Sequence, residues 1–334
     1  MNRLTAVLFV GISFAVNSSL VAQRLYFTDP GLGDQVSRIN LNGSAFDTVI
    51  AFPAIVDPRA LAIDRLSGRA YYSSGSTLQR AYFDGSGQEP LGPSGGSVPT
   101  DIALDVAADK MYWSVDGTVG VKRAALDGTG ATTLVSQSLL DSLIGHDPLV
   151  RADDVSGIAL DITGGRVYWA NGSRLNSMPL SGVVAAGDAM HHFELSGAGD
   201  INKIKLDLDS SLVYWTNNGG SVVQSAALDG AGQTTLVSRG FGRPAGLDID
   251  LSGGKLYFGD TLGTGGRGQI LRANLDGTDL EVIYDSGSTL FAPLDLELGP
   301  DVAVPEPTSL ALATVAFALT IGVCWRKRNM PTQP

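Results

Sequence analysis

Two stretches of this 334-residue chain are nearly the same: KMYWSVDGTVGVKRAALDGTGATTLV at residues 110–135 and LVYWTNNGGSVVQSAALDGAGQTTLV at residues 212–237. Each stretch carries an aromatic pair, then a Leu-Asp-Gly turn, then a Thr-Thr-Leu-Val run. A duplicated domain would explain two copies. Weaker copies between them would instead indicate a finer repeat, and a repeat of fixed period determines the fold.

Aromatic pairs after a small apolar residue mark six copies of the repeat. The spacings between their first tyrosines are 45, 41, 56, 46 and 43 residues. The pairs are Tyr26-Phe27, Tyr71-Tyr72, Tyr112-Trp113, Tyr168-Trp169, Tyr214-Trp215 and Tyr257-Phe258. Because the pairs recur at one phase of every copy, we expect them to pack between neighbouring sheets rather than to form a sugar-stacking platform.

Each copy reads as four short strands joined by tight turns. Asn-Gly or Asp-Gly steps stand between β-prone runs, and these steps are strong hairpin signals. An aspartate precedes the tyrosine by seven residues in five copies, and we expect it to bind turn amides: Asp64, Asp105, Asp161, Asp207 and Asp250. A unit of about 45 residues with four strands is typical of a propeller blade.

The first copy lacks the strand that carries the aspartate. The stretch Leu294-Asp295-Leu296-Glu297-Leu298 resembles that strand, with Glu297 at the expected aspartate position. Pairing this stretch with the first strand would close the ring and remove two open sheet edges. The sequence therefore predicts an all-β fold over residues 23–303, a six-bladed β-propeller of four-stranded antiparallel blades.

The repeat resembles the YWTD repeat, also called the low-density lipoprotein receptor class B repeat. The resemblance covers residues 24–299, and Tyr214-Trp215-Thr216-Asn217 matches the motif best. Tyr26-Phe27-Thr28-Asp29 keeps its Thr-Asp end, whereas other copies depart from it, as at Ser73-Ser74. Membership of that family implies one six-bladed propeller. It does not imply the ligands of its receptor members.

Residues 1–22 have the pattern of a secretory signal peptide. A short basic start, Met1 to Arg3, precedes the apolar run Leu4 to Val16, and Ala22 offers a small residue for cleavage. The run is too short to span a bilayer. We therefore expect an exported protein, and the alternative is a short buried helix.

Residues 304–329 have three parts in order: a Pro-Glu-Pro motif, an apolar run over residues 308–325 and a basic end. The residues that define the motif and the basic end are Pro305, Glu306, Pro307, Arg326, Lys327 and Arg328. This pattern resembles the PEP-CTERM sorting signal of Gram-negative bacteria, followed here by a short polar end, residues 330–334. The resemblance implies a transmembrane helix that anchors the chain transiently in the inner membrane. It also implies processing by an exosortase and delivery to the cell surface or extracellular matrix. A permanent single-span anchor is the alternative.

Candidate chemistry is sparse along the chain. The only histidines are His146, His191 and His192. Four residues at the ends of second strands could hold a calcium ion if they converged on the ring axis, as in some six-bladed lactonases: Asp29, Asn171, Asn217 and Asp260. The alternative interpretation is that these residues cap surface turns, and we expect no cofactor.

The chain is acidic, with a net charge of −11, which argues against nucleic acid as a partner. In a meander of four strands, the long second-to-third and fourth-to-first connections lie on one face, where binding usually resides. The sequence thus favours a non-enzymatic surface propeller that binds a polysaccharide or protein ligand. The alternative is a calcium-dependent propeller hydrolase or lactonase.

Overall fold

The computed structural model describes residues 23–51, 54–95, 98–115, 120–136, 138–139, 155–182, 190–194, 200–238 and 242–300. The signal-like segment, the sorting tail and its expected membrane helix lie outside these residues, as does His146. Within the described ranges, none of the helical segments has the length and hydropathy of a membrane span.

The described residues form 24 strands and one 3-10 turn at Thr264–Gly266, and residues 138–139 are helical. In chain order, the strands are β1 (Gln23–Asp29), β2 (Gln35–Asn40), β3 (Asp47–Ala51), β4 (Leu61–Asp64), β5 (Arg69–Ser74), β6 (Thr77–Tyr82), β7 (Glu89–Pro93), β8 (Pro99–Asp105), β9 (Lys110–Val115), β10 (Val121–Ala125), β11 (Thr132–Val135), β12 (Val155–Asp161), β13 (Arg166–Asn171), β14 (Arg174–Pro179), β15 (Met190–Glu194), β16 (Ile201–Asp207), β17 (Leu212–Asn217), β18 (Val222–Ala227), β19 (Thr234–Ser238), β20 (Pro244–Asp250), β21 (Lys255–Asp260), β22 (Gln269–Asn274), β23 (Glu281–Asp285) and β24 (Asp295–Pro300).

These strands form six antiparallel sheets of four strands, which confirms the six-bladed propeller. Blade 1 has the order β24-β1-β2-β3, and blades 2 to 6 follow as β4–β7, β8–β11, β12–β15, β16–β19 and β20–β23. The first strands of neighbouring blades pack against one another around the axis. The last strand therefore completes the blade that the first strand begins, with Gln23 paired to Pro300.

Six apolar clusters fill the six spaces between neighbouring blades. In blade 3, Trp113 packs toward blade 2 with Tyr71 and Leu78, whereas Tyr112 packs toward blade 4 with Trp169. The two members of an aromatic pair thus point to opposite sides of their sheet, as successive residues of a strand must. Each tryptophan of these pairs is at most 1% exposed. The clusters between blades 6 and 1 and between blades 1 and 2 are as complete as the others.

The expected position of Glu297 is wrong by two residues. Glu297 faces Tyr26 across the strand pair, and Gly299, opposite Arg24, stands where the other blades have their aspartate. The cause is that no turn joins the first two strands of blade 1, so an aspartate there would have no turn amides to bind. A side chain at Gly299 would also collide with the Tyr26 ring, because its Cβ would lie 2.6 Å from Cε2.

The connections fall on two faces of the ring, as the meander topology predicts. We call the face with the second-to-third and fourth-to-first connections the loop face, and the opposite one the turn face. Gln23 and Pro300 both lie at the turn face, because β1 starts there and β24 ends there. The 56-residue spacing between Tyr112 and Tyr168 predicts an extended loop, too short for another blade, between β11 and β12, and most of that interval lies outside the described residues.

Candidate functional site

Charged side chains meet on the axis of the ring, at two levels of the first strands. Each level consists of one residue from each of the six first strands, at equivalent positions in the strand register. The level nearer the loop face has Ala60, Asp101, Gly157, Lys203, Gly246 and Asp295. The level nearer the turn face has Ala62, Ala103, Ala159, Lys205, Asp248 and Glu297. Small residues thus stand beside two lysines and four carboxyl groups, and blade 5 supplies both cations.

Lys203 crosses the axis from blade 5 and joins blades 3 and 1. Its Nζ lies 3.0 Å from Asp101 Oδ1 and 2.6 Å from Asp295 Oδ2, and it donates to the Thr100 carbonyl at 2.7 Å. The three charged side chains are 3%, 4% and 0% exposed. An ammonium group has three donors, so Lys203 is saturated.

The two carboxylates of this level also bind the next blade. Asp101 Oδ2 accepts the Ile158 amide at 2.8 Å, and Asp295 Oδ2 accepts the Leu61 amide at 2.8 Å. Desolvation raises the pKa of Asp295 to about 7, although the neighbouring ammonium of Lys203 opposes the rise. Each carboxylate therefore links its own first strand both to the axis and to the neighbouring blade.

The second level repeats this arrangement with Lys205. Its Nζ contacts Glu297 and lies 3.5 Å from Asp248 Oδ1, and Asp248 Oδ2 accepts the Leu298 amide at 2.6 Å. Burial lowers the pKa of Lys205, but the carboxylates of Asp248 and Glu297 raise it by more. The net shift of the Lys205 pKa is therefore upward. Desolvation likewise raises the pKa of Glu297, which keeps 17% of its side chain exposed.

A polar cavity of about 260 Å³ opens at the centre of the loop face, above Lys203. Its wall includes the side chains of Arg59 and Arg243 and the amides of Asn202 and Asn218. Arg243 is exposed and makes no side-chain hydrogen bond or ion pair with any described residue. This cavity is the place where unpaired donors converge at the mouth of the ring.

A second cavity, of about 290 Å³, opens on the turn face. Its walls are mostly aliphatic, with Ile102, Ile158 and Leu160 among them, and Lys205 and Glu297 lie at its base. Alanine at three of the six axial positions leaves the space for it. The two levels of ion pairs separate this cavity from the loop-face cavity.

The structure places the four calcium candidates at the loop-face ends of their second strands, each in a different blade. Asp29 Oδ1 accepts the amides of Gly31, Leu32 and Ala292, and burial raises its pKa although these amides lower it. Its carboxylate thereby joins the second-to-third loop of blade 1 to the connection that leads into β24.

Asn217 and Asp260 act in the same way as Asp29. Asn217 Oδ1 accepts the Gly220 amide at 2.8 Å, and Asp260 Oδ1 accepts the amides of Arg243 at 2.8 Å and Leu262 at 3.0 Å. Asn171 is also buried and has partners of its own. Across the described residues, no three histidine, cysteine, aspartate or glutamate side chains are placed to share a metal ion.

The repeated aspartates lie at the turn face, where they accept turn amides. Asp105 accepts from Ala108 at 3.0 Å, Asp161 from Gly164 at 2.6 Å and Asp207 from Ser210 at 3.0 Å. The same contact joins Asp64 to the amides of Leu66 and Ser67, and Asp250 to that of Gly253. These side chains stabilise the turns between first and second strands and do not take part in the contacts on the axis.

The axial network was not predicted from the sequence. Its members stand two or four positions before the aspartate of the repeat, as Lys203 and Lys205 stand before Asp207, or before Gly299 in blade 1. A charged residue there, in a strand otherwise apolar and buried, was the available signal. The signal became interpretable only with the register that brings those positions to the axis.

Comparison with known proteins agrees with this architecture, although no protein-family model matches the chain. The chain is 31% identical over 197 residues to the low-density lipoprotein receptor-related protein 5-like protein of Homo sapiens, covering 58% of this chain and 55% of that protein. It is 26% identical over 186 residues to low-density lipoprotein receptor-related protein 1 of Pyricularia oryzae, covering 48% of this chain and 59% of that protein. The chain thus spans little more than half the length of these relatives.

Solved structures show the same fold at low identity. A chain of the nidogen–laminin complex aligns with a TM-score of 0.66 and 16% identity, covering 85% of this chain and 99% of that one. A Bacteroides uniformis protein described as a candidate 6-phosphogluconolactonase aligns with a TM-score of 0.50 and 13% identity, covering 81% and 82%. These likenesses agree with the propeller fold of the described residues.

Proposed function

We propose that this chain is a non-enzymatic, exported β-propeller that binds a polysaccharide or protein ligand at its loop face. The loop-face cavity is the observation that carries the proposal, because it combines concave shape with donors that no described residue occupies. Receptor-related proteins are its relatives by sequence. A rigid ring that presents variable connections around one cavity is a suitable scaffold for recognition.

The charges on the axis support binding rather than hydrolysis. A general base or nucleophile must reach the substrate with its lone pair available. Asp101 and Asp295 are instead engaged by Lys203 and by backbone amides, and they lie beneath the cavity floor. At the rim, Asp260 holds the amides of Arg243 and Leu262. The lactonase hypothesis therefore gains no support from these residues.

The test is affinity capture combined with an activity assay. Immobilised protein is incubated with the extracellular polysaccharide and protein fractions of the producing cells, before and after protease or periodate treatment. We expect saturable retention of one fraction and no turnover of lactones or esters, with or without chelator. Turnover that chelator or Asp260→Ala abolishes would contradict the proposal, as would the absence of retention.

We propose further that residues 304–329 anchor the chain for exosortase processing before its release to the surface. The proposal rests on the tail motif, and the position of Pro300 at the turn face agrees with it. A chain anchored there would hold the turn face toward the membrane and the loop face toward its ligand. Intact mass of protein recovered from the cell surface should lack Cys324, and a mass that includes Pro334 would indicate a permanent anchor.

A further inference from the structure

The loop-face cavity has the chemistry of a site for one particular kind of sugar. We propose that it binds a uronic acid residue, a sugar ring that carries a carboxylate, within an acidic polysaccharide. This inference rests on the proposed function and names the ligand class of the same site. The free donors at the rim, the saturated lysine at the floor and the amide side chains of the wall support it.

Two guanidinium groups at the rim have donors to offer a carboxylate. Arg243 has no side-chain partner among the described residues. Arg59 contacts Asp57 through Nε alone, at 3.1 and 3.2 Å, so its two terminal nitrogens bind no described residue. A planar guanidinium matches a carboxylate with two parallel hydrogen bonds, which a lysine cannot form.

The floor of the cavity is formed by Lys203 with Asp101 and Asp295 beneath it, and it should confine an anionic ligand group to the rim. Lys203 has its three donors occupied by Asp101, Asp295 and the Thr100 carbonyl. Those two carboxylates would repel a ligand carboxylate that descended toward the axis. The anionic end of the ligand should therefore lie beside Arg243, with the rest of the ring over the polar wall.

The remaining wall suits hydroxyl groups rather than apolar side chains. Asn202 and Asn218 make no side-chain hydrogen bond to any described residue, and each amide can donate and accept. Among the described residues that line the cavity, the aliphatic side chains are Ala245 and Leu294, and none is aromatic. These amides and the two rim guanidinium groups complement the hydroxyl and carboxylate groups of an acidic sugar.

The volume limits how much of the ligand enters. Drug-sized ligands occupy cavities of about 300–1,000 Å³, and this cavity holds about 260 Å³. One sugar ring with its substituents is the corresponding occupant. The rest of a polymer would then extend across the loop face.

One contact fixes the position of the rim arginine. Asp260 Oδ1 accepts the Arg243 amide at 2.8 Å, and the Thr261 amide donates to the Arg243 carbonyl at 3.1 Å. These contacts hold the backbone at Arg243 beside the second-to-third loop of blade 6. Asp260 is therefore a positioning residue for the site.

Calorimetric titration of the full chain tests the inference. The probes are an oligogalacturonate, a neutral cello-oligosaccharide of equal length and a polyglutamate peptide. We expect the oligogalacturonate to bind, the neutral sugar to bind at least tenfold more weakly, and added salt to weaken the uronate complex. Arg243→Ala should weaken it tenfold or more, and Arg59→Ala should weaken it too.

Arg267→Ala is the matched control, since Arg267 is exposed on the same face but does not line the cavity. It should change affinity less than twofold, and all variants should unfold at the wild-type temperature. Oligogalacturonate affinity that Arg243→Ala leaves unchanged would overturn the inference, as would tighter binding of polyglutamate or no uronate binding. If the captured native ligand still binds in those cases, the proposed function stands and only the ligand class is wrong.

Discussion

Lys203 shows how one residue can connect blades that are distant along the chain. A lysine is almost never fully buried unless it is paired, and here two carboxylates and a carbonyl complete its three hydrogen bonds. A buried ion pair need not add net stability, because desolvation of both charges opposes their attraction. Removing one partner is nevertheless costly, because the other charges remain buried.

Lys203→Met should therefore destabilise the propeller strongly. At pH 8, where Asp295 is ionised, the change leaves Asp101 and Asp295 without their cation, and the expected loss in the free energy of unfolding is about 3–5 kcal/mol. Chemical denaturation measures it. Lys122→Ala is the control, because Lys122 only contacts a carbonyl at the exposed surface and should cost less than about 0.5 kcal/mol. Equal effects of the two changes would show that the axial pairs do not support the ring.

The raised pKa of Asp295 predicts that the stability of the propeller depends on pH. Its pKa is raised to about 7, whereas an aspartate in an unfolded chain titrates near 3.9. Between these values the folded protein holds a proton that the unfolded chain has lost, so this group's contribution to stability falls as pH rises. Asn mimics the protonated form, so Asp295→Asn should remove this dependence.

The measurement is the difference in unfolding free energy between wild type and Asp295→Asn from pH 5 to pH 8. We expect that difference to move against the wild type by more than about 1 kcal/mol, since each unit of pKa shift corresponds to about 1.4 kcal/mol. A difference that does not change with pH would mean that Asp295 is ionised throughout.

At the scale of the strand, a hydroxyl near the end of the second strand joins neighbouring first strands. Thr216 is fully buried, and its Oγ1 accepts the Lys203 amide at 3.1 Å and donates to the Ala245 carbonyl at 2.7 Å. These bonds connect blade 5 to blade 6. Thr28 and Ser73 accept equivalent amides in blades 1 and 2.

Thr216→Val should cost about 1–3 kcal/mol in unfolding free energy, because it keeps the shape but leaves a buried amide and carbonyl unpaired. Thr234→Val is the matched control, since the Thr234 hydroxyl binds a carbonyl at the exposed surface. Urea denaturation of both variants checks this. A cost at Thr216 no larger than at Thr234 would contradict the structural role of the hydroxyl.

The strands also show which features sequence can predict. The blade count follows from six aromatic pairs, and the strand ends follow from Asp-Gly turns, because these are local signals. The axial network is a set of contacts between blades, such as Lys203 with Asp295, so no single repeat contains it. The prediction that Glu297 takes the place of the repeated aspartate was wrong for a related reason. Its strand, β24, is not followed by the turn that sets the register in the other blades.

At the scale of the molecule, the ring separates two environments. The loop-face cavity has arginine and amide donors, whereas the turn-face cavity has aliphatic walls, and two levels of ion pairs close the axis between them. The chain leaves the described propeller at the turn face, through Pro300. Ligand binding at the loop face is thus compatible with anchoring from the opposite side.

Comparing one added charge on each face tests the location of ligand binding most directly. Asn218→Glu adds a negative charge beside the loop-face cavity, and Leu66→Glu adds one at a turn-face position that is 81% exposed. The measurement is the retention of native extracellular material by each immobilised variant, with equal unfolding temperatures as the check on folding. We predict that Asn218→Glu abolishes retention and that Leu66→Glu leaves it unchanged. Retention that survives Asn218→Glu but is lost in Leu66→Glu would contradict the account.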